Sequence, residues 1–329
     1  NHCHDHPFER WTQDQYHETA AYFAQFGLKK DPESGDRKIE GTAVEGATPL
    51  FEEVFDRNDG EMLHERTGAV TPPKFPYAVA SVTTSDAKPA PRREQLSRWV
   101  TSPENRYFAK SFVNRMWAYL LGVGLIEPID DIRAGNPPSN PELLDRLTQE
   151  FIASGFNVQQ LMKTICKSRT YQLSIAANQW NEDDRINFSH ALAKRLPAEV
   201  LFDTLTRVTG SSAGVPGLPA DARAAQFLDP AVAVPGGFLT QFGRPPRESP
   251  CECERSSGVQ FGPVMSLVSG QTVGDAINQQ DNAITQLVAK EANDAKLIEE
   301  LFLRILNRPA TDAEVARAAG VFRELPDEH

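Results

Sequence analysis

A chain of 329 residues with 40% hydrophobic side chains carries enough apolar material for one large or two ordinary domains. Lys plus Arg is 34 and Asp plus Glu is 45, and the net charge of −11 argues against a nucleic-acid partner, because binding a phosphate backbone needs positive surface. No apolar run approaches the roughly 18 residues that suggest a membrane span, and four cysteines, at 3, 166, 251 and 253, are too few for a disulfide scaffold.

The sharpest chemistry comes first, in NHCHDHPFERWTQDQYHETAAYFAQF. Cys3-His4 is the second half of C-x-x-C-H, the attachment signature of haem c, whose first Cys would fall immediately before Asn1. In such a site two thiols bond to the haem vinyl groups and the adjacent His becomes an axial iron ligand. His2, His4 and His6 alternate, which also suits a bare transition-metal ion held by neutral imidazoles. A third reading is a polar, His-rich turn ahead of a helix. Tyr16, Ala20, Phe23 and Ala24 then predict a helical stripe between Trp11 and Phe26, with Asp14 placed to suit the helix dipole. His17 on this helix is a candidate second ligand, with an ordinary surface position as the default expectation.

Between residues 28 and 90 the composition changes. Charged and Gly/Pro-rich pieces bracket short β-prone runs around Ile39–Val44 and Val79–Thr84, which predicts a small extended or hairpin segment followed by a linker. His64 is expected to be solvated there.

From Arg92 the pattern is helical. Phe108, Phe112, Val113, Met116, Trp117, Leu120 and Leu121 form a core-facing stripe. Thr101 and Glu104 have capping-box spacing, and Gly122 and Gly124 supply the stop. Asn114 and Arg115 interrupt the stripe. They form either a functional polar pair or a structural one, in which the Asn pins a loop and the Arg meets a carboxylate. The loop that follows holds Glu127, Asp130 and Asp131 without the spacing of an EF-hand calcium loop, so arginine partners are the expected role. Asn140 and Asn157 each open a further helix, Cys166 reads as a small buried hydrophobe, and Leu192 to Val208 carries another helical pattern with Gly210 as its end.

Residues 211–262 read as a long irregular, Pro/Gly-rich excursion. Its far end interleaves Arg244, Arg247 and Arg255 with Glu248, Glu252 and Glu254 beside Cys251 and Cys253. Guanidinium forks in that pattern either recognise an anionic group or tie the loop down through ion pairs. Leu297 to Leu306, capped by Asp294 and stopped by Pro309, and a last helix after Thr311 and Glu314 complete a mainly α chain. The helices of 92–208 and 263–325 are expected to share one core.

Several of these motifs, in order, resemble the large secreted planctomycete-type proteins with cytochrome-c-like domains. CHDHPFERWTQDQYHETAAYFA resembles the end of their second cytochrome-like domain. PRREQLSRWVTSPENRYFAKSFVNRMWAYLLGVGLIEPIDDIRAGNPPSNPELLDRLTQEFIASGFNVQQLMKTICKSRTYQLS, FGRPPRESPCECERSSG and LIEELFLRILNRPATDAEV resemble their C-terminal domain. The resemblance implies residues 1–27 as the end of a cytochrome-like domain, 28–90 as an extended segment and linker, and 91–329 as a helical domain of unknown function. It also implies a periplasmic or extracellular location, haem c bound through Cys3 and His4, and a redox partner or neighbouring domains of the same protein. No reaction follows from it. The alternatives are a haem-free binding or scaffold module of a bacterial surface assembly, or an enzyme using the Arg/Glu loop at 244–255.

Overall fold

The computed structural model describes residues 4–7, 10–39, 48–80, 90–212, 214–215, 219, 221–227, 232–245 and 261–324. The fold is mainly α. Helix α1 spans Gln13–Ala20, and among the described residues six short strands follow as three antiparallel pairs: β1 (Phe26–Lys30) with β4 (Glu52–Asp56), β2 (Lys38–Ile39) with β3 (Thr48–Pro49), and β5 (Met62–Leu63) with β6 (Val70–Thr71). The remaining helices are α2 (Arg92–Val100), α3 (Arg106–Leu121), α4 (Pro141–Ala153), α5 (Val158–Cys166), α6 (Ala198–Thr209), α7 (Phe238–Gln241), α8 (Phe261–Ser269), α9 (Gln271–Asn278), α10 (Ala283–Lys290), α11 (Asp294–Leu306) and α12 (Asp312–Glu324). Among the described residues no helix is long and apolar enough to cross a membrane.

The chain divides into two compact units, one of residues 1–30 and 52–194, the other of 31–51 and 195–329. In the first unit, α3, α4 and α5 close around Ala109, Val113, Trp117, Leu121, Leu144, Leu147, Phe151, Leu161 and Ile165. Every member lies at three- or four-residue spacing on its helix, so the stripes read from the sequence do face a core. The caps follow side-chain chemistry. Asn140 accepts from the Leu143 N–H at 3.0 Å and Asn157 from the Gln160 N–H at 3.0 Å, while Gly122 ends α3 at φ 93°. The start of α3 differs from expectation. Thr101 ends α2, its hydroxyl bonding back to the Ser97 carbonyl, and Asn105 precedes α3. The capping-box spacing of Thr101 and Glu104 lost to a hydroxyl bond that closes the preceding helix.

A second packing centre in this unit is aromatic. Tyr22, in the 3-10 turn after α1, stacks on Phe75 at 5.1 Å, and Phe75 stacks on Trp99 of α2 at 5.3 Å. Arg92 adds a bond to the Ala21 carbonyl and a bidentate pair with Glu61 at 2.8–2.9 Å. The α1 segment and α2 are thereby held together although 70 residues of mixed composition separate their sequences roughly.

The second unit has its own core: Ala198 and Phe202 of α6 with Ala224, Phe227, Val234, Phe238, Leu239 and Phe242. This overturns two expectations. The helices of 92–208 and 263–325 distribute over two units with separate clusters. The described part of 211–262 is likewise no excursion, since five of its large apolar side chains are core. Gly and Pro are frequent in it, but Phe227 and Val234 bury themselves from irregular backbone, and Phe238, Leu239 and Phe242 from the single turn of α7 and its end. Asp203 of α6 holds the segment, accepting from the Ala224 N–H at 2.6 Å and the Ala225 N–H at 3.3 Å. Helix α6 starts only at Ala198, after Pro197, and α11 is capped by Asn293 and stopped by Asn307 in the left-handed region, rather than by Asp294 and Pro309. The capping box of Thr311 and Glu314 forms as read.

Candidate functional site

Asp5 and His6, just after the CH motif, are fastened to the start of α1. The Asp5 carboxylate accepts from the Gln13 N–H at 2.7 Å, and the His6 N–H donates to the Trp11 carbonyl at 2.8 Å. Thr12 and Gln15 close a reciprocal capping box just above. Residues 4 to 6 therefore ride on a rigid helix end. His4 is exposed, and its Nδ1 donates to the Asp5 carbonyl at 2.6 Å, leaving Nε2 as the lone pair for a ligand. That arrangement fits an imidazole ligand to a metal, including a haem iron. Cys3 and His2 lie outside the described residues.

The buried face of α1 is not the expected one. Tyr16 and Phe23 are 41% and 49% exposed, while Gln13, His17 and Ala21, four residues apart, point inward with Tyr22. The aromatic residues at 16 and 23 mimic a core stripe, but the neighbouring strands and Phe75 select the other face. His17, expected at the surface, is 0% exposed, and His64, expected in solvent, is 6% exposed. Their rings lie 4.4 Å apart, tilted by 39°. The Arg66 N–H donates to His64 Nδ1 at 3.2 Å, which assigns the proton to Nε2, and Nε2 donates to Asp14 Oδ1 at 2.9 Å. The signal for this pair was weak in the sequence, because 47 residues separate two histidines that only the β5–β6 hairpin brings together. Nearby, burial and then the Glu18 charge push the Tyr22 phenol up to about 12.

The other candidates are placed as follows. Asn114 is fully buried, donating to the Ile126 and Ile129 carbonyls at 3.0 Å each and accepting from the Ile126 N–H at 2.9 Å. Arg115 pairs with Asp130 and reaches the Tyr119 hydroxyl; the Tyr119 contact first, then Asp130, raise its guanidinium above the ordinary value against a lowering by burial. Glu127 accepts from the Gly124 N–H at 2.8 Å, and Asp131 pairs with Arg133 at 2.9 Å. These contacts are structural: they fix the loop after α3. Arg244 belongs to the other unit, where its Nη1 donates to the Val232 carbonyl at 2.7 Å. Arg247, Glu248, Glu252 and Arg255, with Cys251 and Cys253, lie outside the described residues. Cys166 is a free, half-buried thiol. Among the described residues no group of three His, Cys, Asp or Glu side chains is arranged to hold a metal ion.

A mainly helical, two-unit protein with an imidazole-bearing motif fastened to its first helix is the class these features define. Residues 92–322 match the family model described as PSD1, protein of unknown function (DUF1553), and the chain belongs to that family. It is a domain of unknown function found in planctomycete-type proteins, as the resemblance implied for this part of the chain. No curated protein and no solved structure matches the chain.

Proposed function

We propose that the chain serves electron transfer outside the cytoplasm, with a transition metal held at Cys3 and His4 and the helical units acting as docking or substrate-positioning modules. The observation that carries this reading is the 2.6 Å bond from His4 Nδ1 to the Asp5 carbonyl. Ligating histidines are oriented by such a bond from the second ring nitrogen, which also raises the basicity of the first. The anchoring of Asp5 on Gln13 and of His6 on Trp11 supports it, because a metal ligand has to be held at one place.

The family resemblance casts the metal as the iron of haem c, with Cys3 forming a thioether and His4 serving as axial ligand. Bound there, haem would supply a one-electron ferric/ferrous couple. The contribution of the chain itself is to present Nε2, hold its tautomer and fix the motif on α1. The test is the chain extended by the Cys that completes C-x-x-C-H, expressed in a periplasm with cytochrome maturation machinery. A covalent haem spectrum is expected, diminished in Cys3→Ala and altered in His4→Ala. Identical haem spectra in both variants would remove Cys3 and His4 from the site. A wild-type chain that takes neither haem nor metal ion would leave the scaffold reading. An activity lost in Arg247→Ala and Glu252→Ala would favour the loop at 244–255 instead.

A further inference from the structure

We propose that the outer edge of β1 is a self-recognition surface, where a second copy of this chain adds its own β1 and turns the β1–β4 ribbon into a four-stranded antiparallel sheet. The ribbon pairs five residues on each side, and among the described residues no further strand joins it. A two-stranded ribbon alone in water is marginal, and further strands are what steady it.

The register shows which main-chain groups are open. The Arg57 N–H donates to the Gln25 carbonyl at 2.9 Å and the Asp31 N–H to the Phe51 carbonyl at 3.1 Å, one step beyond either end of the paired register. Bonded pairs alternate along an antiparallel ladder. Gly27 and Lys29 therefore bond to Phe55 and Glu53, and the main-chain groups of Phe26, Leu28 and Lys30 face outward. Among the described residues no other main-chain group meets them. The side chains are open too: Leu28 is 53% exposed and Val54, directly opposite on the same face, 46%.

Charge selects the edge, the occupant and the register. A two-fold axis through Leu28 sets Leu28 against the copy's Leu28, and each Phe26 against the other chain's Lys30. No like charges face each other, each ammonium meets an aromatic ring, and about six main-chain hydrogen bonds close. Leu28 and Val54 of both copies then form one apolar row across the four strands. The same operation on β4 sets Glu52 against the copy's Asp56 twice, and Asp56 is already engaged by Arg93 at 2.8 Å. Lysines on an edge commonly repel foreign strands. Here Lys29 is drawn to Glu53 at 2.9 Å within the ribbon, and an axis through Lys29 would bring two lysines face to face. The axis through Leu28 avoids that.

The experiment is analytical ultracentrifugation of the whole chain, following mass against concentration. A reversible dimer is expected. Leu28→Lys and Leu28→Glu each place like charges on the axis and should weaken association by at least about tenfold. An equimolar mixture of the two should restore it, because Lys then faces Glu. Leu28 is exposed, so neither change should alter the circular dichroism of the chain. Leu28→Cys should form a covalent dimer on oxidation beyond that of the wild-type chain, since Cα atoms in such a pair stand about 5.5 Å apart. Val54→Cys should not. A chain that stays monomeric at every concentration overturns the proposal and leaves the edge to an extended strand of another protein. A dimer indifferent to both charged variants overturns it as well, and so does one cross-linked through Val54→Cys, which would put the partner on β4.

Discussion

Asn114 binds both main-chain groups of Ile126, accepting from its N–H at 2.9 Å and donating to its carbonyl at 3.0 Å. The side-chain amide pairs with the loop as a neighbouring strand would, and its second N–H takes the Ile129 carbonyl. Gly124 permits the close approach: a Cβ there would stand 2.4 Å from the Ile126 carbonyl oxygen and 3.1 Å from Asn114 Oδ1. Asn114→Ala strands one buried N–H and two carbonyls and should lower stability by about 2–4 kcal/mol. Gly124→Ala should cost a comparable amount, because the obstructing atom is backbone. Urea denaturation of both variants measures this; wild-type midpoints would mean that the loop holds itself.

Trp117 is 3% exposed and meets Phe188 edge-on at 5.2 Å. Trp117→Ala should cost about 3–5 kcal/mol, the range for deleting a large buried aromatic. Its indole N–H has no hydrogen-bond partner among the described residues. Trp117→Phe should therefore lose much less than the alanine variant, since it also removes a buried, unanswered donor. Calorimetry on the pair decides between packing and hydrogen bonding as the role of the indole.

The Tyr22 phenol, raised from 10.0 to about 12 by burial, sets a pH dependence. A folded pKa above the unfolded one means that the native state keeps its proton longer. The associated stability is complete below pH 10 and is lost as pH rises towards 12. Tyr22→Phe keeps the stack on Phe75 and should flatten that alkaline loss while leaving neutral-pH stability equal or higher. Melting temperatures across the alkaline range test it, and an unchanged slope in Tyr22→Phe would assign the loss to other groups.

Arg244 ties its own segment to Val232 through a 2.7 Å bond to the main chain. Arg244→Ala should lower stability by about 1–3 kcal/mol, the cost of leaving a partly buried acceptor unmet. Arg244→Lys should recover part of it. Limited proteolysis offers the second readout: faster cleavage near 232–245 is expected in Arg244→Ala, and wild-type rates would show the contact to be incidental.

Sequence alone determined the local features whose causes lie within one turn or one cap. The stripes of α3, α4 and α5, the caps at Asn140 and Asn157, the left-handed stop at Gly122 and the Thr311–Glu314 box are all set by neighbours three or four residues away, so periodicity and side-chain chemistry reach them. Tertiary structure decided what depends on partners far along the chain. Tyr16 and Phe23 look like a core stripe, yet the inward face of α1 is the one where His17 meets His64, and Tyr22 in the turn after it stacks on Phe75, residues brought there from far along the chain. His17 and His64 looked like solvated side chains because nothing local covers them. The core of the second unit escaped notice because Phe227 and Val234 come from irregular backbone and Phe238 from the single turn of α7, where burial shows no period and only the facing side of α6 selects which residues turn inward.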